Sequence, residues 1–302
     1  MTAVEVWICA GQSNCLGRQA NPTVVNAALP LAAVRYWPYA AGATTEPVVS
    51  VDLAYLAAPQ WVGIEPEIGD SLVDAARPVA IIKWGMGSTG LALHWLASTT
   101  DKRQRDCVRS VRRFLDRLAW VTPANTYTVA GVIWNQWEED GKTDVDSAAY
   151  GANLALLIAA FRAEFHPSLP VVVHRAATGV GTGGGRTPAR VAACQAGQDA
   201  VDAADALVWL MNTDGYTLEG DFVHYSPDSQ QTLGIDTAAL IVASVPAPSY
   251  AAQTRASLYR TQAIASDVAA YLGKPVRTSP TDAALWAVED TRGKQWITGS
   301  WA

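Results

Sequence analysis

The sequence predicts a three-layer α/β/α sandwich built on a mostly parallel sheet, and three observations carry that prediction. Short apolar runs rich in Val, Ile and Trp recur along the chain. Amphipathic stretches of helical period separate them. Strands that are apolar along their whole length, alternating with helices, imply a parallel sheet covered on both faces, since both sides of each strand must then be kept from water. The third observation is length: 302 residues exceed the roughly 250 of a large single α/β domain, so a domain with a tail is expected. VPAPS (245 to 249) reads as the linker, separating a domain of residues 1 to 244 from an appendage of residues 245 to 302.

Each element has a local cause. VEVWICAG (4 to 11) is the first strand. The stretch 66 to 76 is helical, with Pro66 in its first turn, where a missing N–H is harmless. VAIIKWG (79 to 85) is the next strand. KRQRDCVRSVRR (102 to 113) supplies the wet face of a helix over 102 to 119, with Phe114, Leu115 and Leu118 continuing its apolar stripe. YTVAGVIWNQW (127 to 137) is a strand, and the helix over 144 to 165 stops before Pro167. LPVVVHRA (169 to 176), a helix over 187 to 203, ALVWLMN (206 to 212) and a helix over 228 to 243 complete the pattern. In the appendage, a helix over about 251 to 272 and a hairpin around DTRG (290 to 293) are expected.

Composition excludes several classes of function. Half the residues are hydrophobic and 17% are charged, which excludes disorder and collagen-like structure. The net charge of −6 and the interrupted basic cluster argue against a nucleic-acid partner. The longest uncharged stretch, 237 to 254, is broken by Pro246 and Pro248, so no membrane span is expected. MTAVEVWICAG lacks a basic leader segment, so no signal peptide is expected and the compartment stays open. Cys9, Cys15, Cys107 and Cys194 show no CxxC spacing and read as reduced, buried thiols.

In an open parallel sheet, chemistry collects beyond the carboxyl ends of the strands. The first strand runs into GQSN, which puts Ser13 at a strand-to-helix turn as either a nucleophile or a helix N-cap. DFVHY follows the last predicted strand, and its Asp221 and His224 stand three residues apart. An imidazole with a pKa near about 6.5 suits the removal of a serine proton, and an Asp on the same turn can hold its ring. The glycines of GMGSTG (85 to 90) let backbone approach a ligand, which makes the Gly87 N–H a candidate donor to an oxyanion. Gln136, ending the strand in WNQWEED, offers an amide donor as well. His94 in LALHW falls near the same edge.

These blocks resemble the SGNH-type esterases, specifically the sialate O-acetylesterase and acetylxylan esterase group called carbohydrate esterase family six. The resemblance rests on WICAGQSN, IEPEIG (64 to 69), GSTGLALHW (87 to 95), GVIWNQWEED (131 to 140) and DFVHYS (221 to 226), in that order, and covers about residues 4 to 243. It implies a flavodoxin-like fold, Ser13 as nucleophile, His224 as base and Asp221 as its partner. The oxyanion hole it implies consists of the Ser13 and Gly87 N–H groups and Gln136. The sequence departs from the family at Trp137, where the family has Gly, and at Ser88, which replaces the second Gly of a GGTS-like turn. The indole at Trp137 is expected to narrow the pocket or change its specificity.

Gln12, Asn14, Trp95, Trp137 and Glu138 flank these groups and are the expected substrate contacts, the two indoles by stacking on sugar faces. Trp84 and Trp134, inside strand runs, are assigned to the core. ATGVGTGGGRTP (177 to 188) lacks a phosphate-binding pattern and reads as a mobile rim loop, and EEDGKTD (138 to 144) as a solvated loop. No cofactor and no metal are expected. The expected activity is hydrolysis of O-acetyl esters on a carbohydrate. A catalytically weak homologue that binds glycans, or serves a larger assembly such as a phage particle through the C-terminal segment, is the alternative.

Overall fold

The computed structural model describes residues 3–17, 35–40, 63–96, 98–99, 101–121, 125–179, 183–246, 276–278, 285–289 and 295–300. The chain divides into two compact units, Met1–Pro248 and Ser249–Ala302. The first unit holds a six-stranded sheet of β1 (Ala3–Gly11), β2 (Arg35–Ala40), β3 (Val79–Gly85), β4 (Thr126–Asn135), β5 (Val171–His174) and β6 (Val208–Met211). Its order is β2-β3-β1-β4-β5-β6, and every pairing is parallel. Five of these strands coincide with the predicted apolar runs. The additional one, β2, lies at the sheet edge, where a strand need not be apolar on both faces and Pro38 removes no interior ladder bond.

The helices are α1 (Ser13–Leu16), α2 (Glu65–Asp74), α3 (Arg103–Val121), α4 (Asp144–Glu164), α5 (Pro188–Ala204) and α6 (Pro227–Ser244). Strand side chains alternate between two cores. Val4, Val6, Ile8 and Ala10 of β1 share one with the α3 stripe Cys107, Val111, Phe114 and Leu118 and with Leu154 and Phe161 of α4. Trp7 and Cys9 share the other with Ile68 and Leu72 of α2 and Leu233 and Ile241 of α6. Spacings of three and four along each helix make those stripes. Thr143, Thr187 and Ser226 cap α4, α5 and α6, each accepting a first-turn N–H, and Pro occupies the first turn of the last two.

Two contacts fix the depth of the layers. Gly151 and Gly197 let α4 and α5 touch backbone to backbone, for a Cβ on Gly197 would lie 2.6 Å from the Gly151 nitrogen. At the amino end of the sheet, Arg77 grips the fully buried Glu5 with Nε and NH2 at 2.9 and 2.8 Å, and donates to the carbonyl of Val245 at 2.9 Å. The end of α6 is thereby tied to the base of β1 and β3. All four cysteines are buried and free.

The second unit contains β7 (Val276–Thr278), β8 (Leu285–Glu289) and β9 (Gln295–Ser300), an antiparallel sheet in that order. Strands β8 and β9 pair antiparallel on either side of DTRG, which itself lies outside the described residues. The helix expected over 251 to 272 lies outside the described residues. Among the described residues no helix is long and apolar enough to cross a membrane.

Candidate active site

The carboxyl ends of β1, β3 and β4 are laced together. The Gln12 N–H donates to the Asn135 carbonyl at 3.1 Å, and the Met86 N–H to the Gly11 carbonyl at 3.0 Å. Gly11 makes this possible: its φ is +152°, and a Cβ there would sit 1.9 Å from the Asn135 oxygen. The chain then turns into α1, a single helical turn closed by Gly17. Beneath it, Lys83 donates to the Leu16 carbonyl at 2.9 Å and pairs with buried Glu65 at 2.6 Å. Ser13 therefore stands at the first position of a held turn, 8% exposed.

A tight loop after β6 meets it. Leu218 and Tyr225 pair as an antiparallel bridge, and the Glu219 N–H donates to the His224 carbonyl at 2.7 Å. Within this loop Asp221 Oδ1 accepts the Val223 and His224 N–H groups, each at 3.0 Å, and its Oδ2 lies 2.5 Å from His224 Nδ1. On the far side of the ring, His224 Nε2 is 2.8 Å from Ser13 Oγ. A carboxylate against Nδ1 keeps the proton there, which leaves Nε2 with a lone pair for the serine proton. Burial pushes the Asp221 carboxyl up, but the two backbone donors and the imidazole outweigh it and bring it down to about 2.

Asn14 locks the two segments in register. Its amide nitrogen donates to Glu138 and, at 3.0 Å, to the Val223 carbonyl, while its oxygen accepts the Tyr225 N–H at 3.2 Å. Glu138 is fully buried and also takes the Trp137 N–H at 3.0 Å. The pair braces the two segments internally, and both side chains are buried.

Gly87 is exposed beside the serine: a Cβ on it would meet nothing nearer than Ser13 Cβ at 3.9 Å. Ser88 next to it has φ +58°, the left-handed region a glycine adopts freely. Gln136 behaves otherwise than expected. It is fully buried, and its amide nitrogen faces Asp140 at 2.6 Å, the Thr89 carbonyl at 3.0 Å and Gln12 Oε1 at 3.3 Å. Two protons facing three acceptors leave none for an oxyanion, so Gln136 braces the turn that carries Gly87. Gln12, by contrast, gives its oxygen to Gln136, and its amide nitrogen has no partner among the described residues.

The acidic run 138 to 144 is solvated only in part: Thr143 and Asp144 are exposed, while Glu138, Asp140 and Gly141 are buried. Asp140 is 1% exposed, and it accepts the Leu91 and Ala92 N–H groups at 2.9 and 3.2 Å as well as Gln136. Burial raises its pKa from 3.8 to about 6, against the pull of these three donors. Sequence reasoning missed Asp140, because the partners that hold it, the Leu91 and Ala92 N–H groups, are distant in sequence.

The two indoles assigned to sugar contact are elsewhere. Trp95 is fully buried, edge-on to Trp84 and Trp134, with its Nε1 donating to Thr89 at 3.0 Å. Trp137 is 2% exposed and lies against Gly141, where a Cβ would be 3.2 Å from its ring. Its ring belongs to the same core cluster as Trp84, Trp95 and Trp134. His94 is half-buried and accepts the Gly90 N–H at Nδ1, 3.0 Å away. Of the Gly-rich segment, residues 180 to 182 lie outside the described residues; in the remainder the Thr178 N–H reaches Asp214 at 2.7 Å and Arg186 donates to the Glu138 carbonyl at 2.9 Å.

A family model described as carbohydrate esterase, sialic acid-specific acetylesterase, matches residues 3–243. Comparison with curated protein sequences finds no match. Among solved structures, the chain is similar to a protein from Arabidopsis thaliana, with a TM-score of 0.60 at 17% identity over 80% of this chain and 99% of that one. It is similar to a carbohydrate acetylesterase from Xanthomonas citri, with a TM-score of 0.57 at 22% identity over 79% of this chain and 56% of that one. It is similar to NanS, with a TM-score of 0.57 at 16% identity over 80% of this chain and 97% of that one. Likenesses at these identities establish the three-layer fold.

Proposed function

The chain belongs to the sialic acid-specific acetylesterase family of carbohydrate esterases, and from that premise we propose that residues 1 to 244 remove O-acetyl groups from a carbohydrate through an acetyl-enzyme. The observation that carries the reading is the relay from Asp221 through His224 to Ser13, with 2.5 and 2.8 Å separations. His224 Nε2 takes the Ser13 proton as Oγ attacks the acetyl carbonyl, and Asp221 balances the imidazolium that results. Negative charge gathers on the carbonyl oxygen. The Ser13 and Gly87 N–H groups receive it.

The intermediate collapses as His224 returns its proton to the leaving sugar oxygen, which departs as a hydroxyl and leaves acetyl on Ser13. Water then repeats the sequence. His224 takes a proton from it, hydroxide adds to the acetyl carbon, and acetate leaves as Ser13 recovers its proton. Gln136, Asp140, Asn14 and Glu138 act by position, holding the Gly87 turn and the His224 loop against α1. Of the flanking residues, Gln12 keeps an amide nitrogen with which to meet substrate.

Acetate release by the wild type and Ser13→Ala, from an aryl acetate and a panel of acetylated sugars, tests the proposal. Turnover should fall at least about a thousandfold in the variant, as it does when a serine nucleophile is removed. An unchanged rate removes Ser13 from the mechanism. The alternative, glycan binding without turnover, is motivated by the C-terminal segment and by Trp137, which is a buried core residue.

A further inference from the structure

With Trp95 and Trp137 in the core, neither indole supplies the flat apolar face expected to meet a sugar ring. Phe222 supplies one. It is 62% exposed and sits in the loop between Asp221 and His224. Its φ is +55°, a backbone conformation that penalises any residue with a Cβ and a bulky one most. The loop imposes this conformation from several sides. The Phe222 N–H donates to the Glu219 carbonyl at 2.8 Å, the Glu219 N–H to the His224 carbonyl at 2.7 Å, and Asp221 holds the next two N–H groups.

A phenylalanine here is paid for twice, in backbone strain and in apolar surface left in water, while glycine would satisfy the same turn at no cost. Folding does not explain the ring. A strained backbone carrying an exposed ring next in sequence to Asp221 points instead to a ligand. Shortly after the Gly87 turn the chain also exposes Leu93, 62% accessible.

We propose that Phe222 is a specificity-determining residue, its exposed ring stacking on the C–H face of the acetylated sugar and holding the ester over Ser13. The assignment rests on the esterase reading above. Aromatic rings present an apolar face to which a sugar's C–H groups are matched, and small-molecule sites rely on such anchors with a few polar groups for orientation.

The test is a specificity ratio: kcat/KM on xylose tetra-acetate, and on an O-acetylated N-acetylneuraminic acid, each divided by kcat/KM on ethyl acetate, which has no ring. For Phe222→Gly the ratio on the preferred sugar should fall about tenfold, mostly through KM, while the melting temperature stays level or rises. Phe222→Tyr should restore the ratio. An unchanged ratio in Phe222→Gly overturns the assignment, and so does a lowered melting temperature that Phe222→Tyr repairs, since that would make the ring a structural element. A wild type inert toward both sugars and ethyl acetate overturns the esterase reading itself and the Phe222 assignment with it.

Discussion

Replacing Asp140 with asparagine removes a carboxyl group whose burial should make the stability of this protein fall as pH rises. Asp140 is 1% exposed beneath the Gly87 turn. Burial raises its pKa from 3.8 to about 6, even though Leu91, Ala92 and Gln136 all donate to it. A raised pKa means that the folded chain keeps a proton the unfolded chain has already released. Stability from this group is therefore fully present below about pH 3.8 and lost as pH climbs through about 6. At about 1.36 kcal/mol per pH unit, that interval is worth about 3 kcal/mol.

Asparagine does not titrate, so any hydrogen bond it forfeits adds an offset that is constant with pH. The assay is urea unfolding of wild type and Asp140→Asn, followed by near-ultraviolet signal, at steps from about pH 4 to about pH 8. The wild-type stability minus that of the variant should fall by about 2.4 kcal/mol between about pH 4 and about pH 7, the remainder lying below about pH 4. A flat difference refutes burial as the controlling influence. A difference that rises with pH refutes it more strongly, because it would mean that the three donors win and the carboxylate is the favoured form.

Trp137→Gly restores the residue typical of the family, yet it should destabilise the fold by about 3–5 kcal/mol, since it empties a buried indole site packed on Gly141. A variant that melts with the wild type would show that the indole is not a core residue. Arg77→Ala strands the Glu5 carboxylate in a fully buried position and should cost about 3–5 kcal/mol in denaturant unfolding. Neutralising both partners in Glu5→Gln/Arg77→Met should recover much of that loss, and failure to recover it would locate the cost in the Arg77 contact with the Val245 carbonyl.

What could be read in advance follows from how each feature is encoded. A doubly covered strand must be apolar along its length, so β1, β3, β4, β5 and β6 announce themselves in one dimension. Pro66, Pro167 and the capping Thr143, Thr187 and Ser226 mark helix ends through purely local chemistry. Strand β2 escapes because an edge strand carries no such requirement, and RYWPYA has neither the run nor the alternation. The meeting of Ser13, His224 and Asp221 was legible because strand ends at one sheet edge are close whatever the intervening loops do.

Side-chain direction is a different kind of information. Trp95, Trp137, Gln136, Glu138 and Asp140 sit where the motif puts them, yet all five turn inward, and nothing within a few residues of each decides that. For the carboxylates and the glutamine the decision lies with partners distant in sequence: Asn14 for Glu138, Thr89 and Gln12 for Gln136, Leu91 and Ala92 for Asp140. A polar residue beside a reactive serine looks like a substrate contact until its hydrogen bonds are counted, and here the count assigns most of them to holding the two loops. The same reasoning explains why Phe222 was overlooked. In sequence it is an apolar letter between an acid and a histidine, and only a backbone in the left-handed region, with its ring in water, separates a core residue from one kept for a ligand.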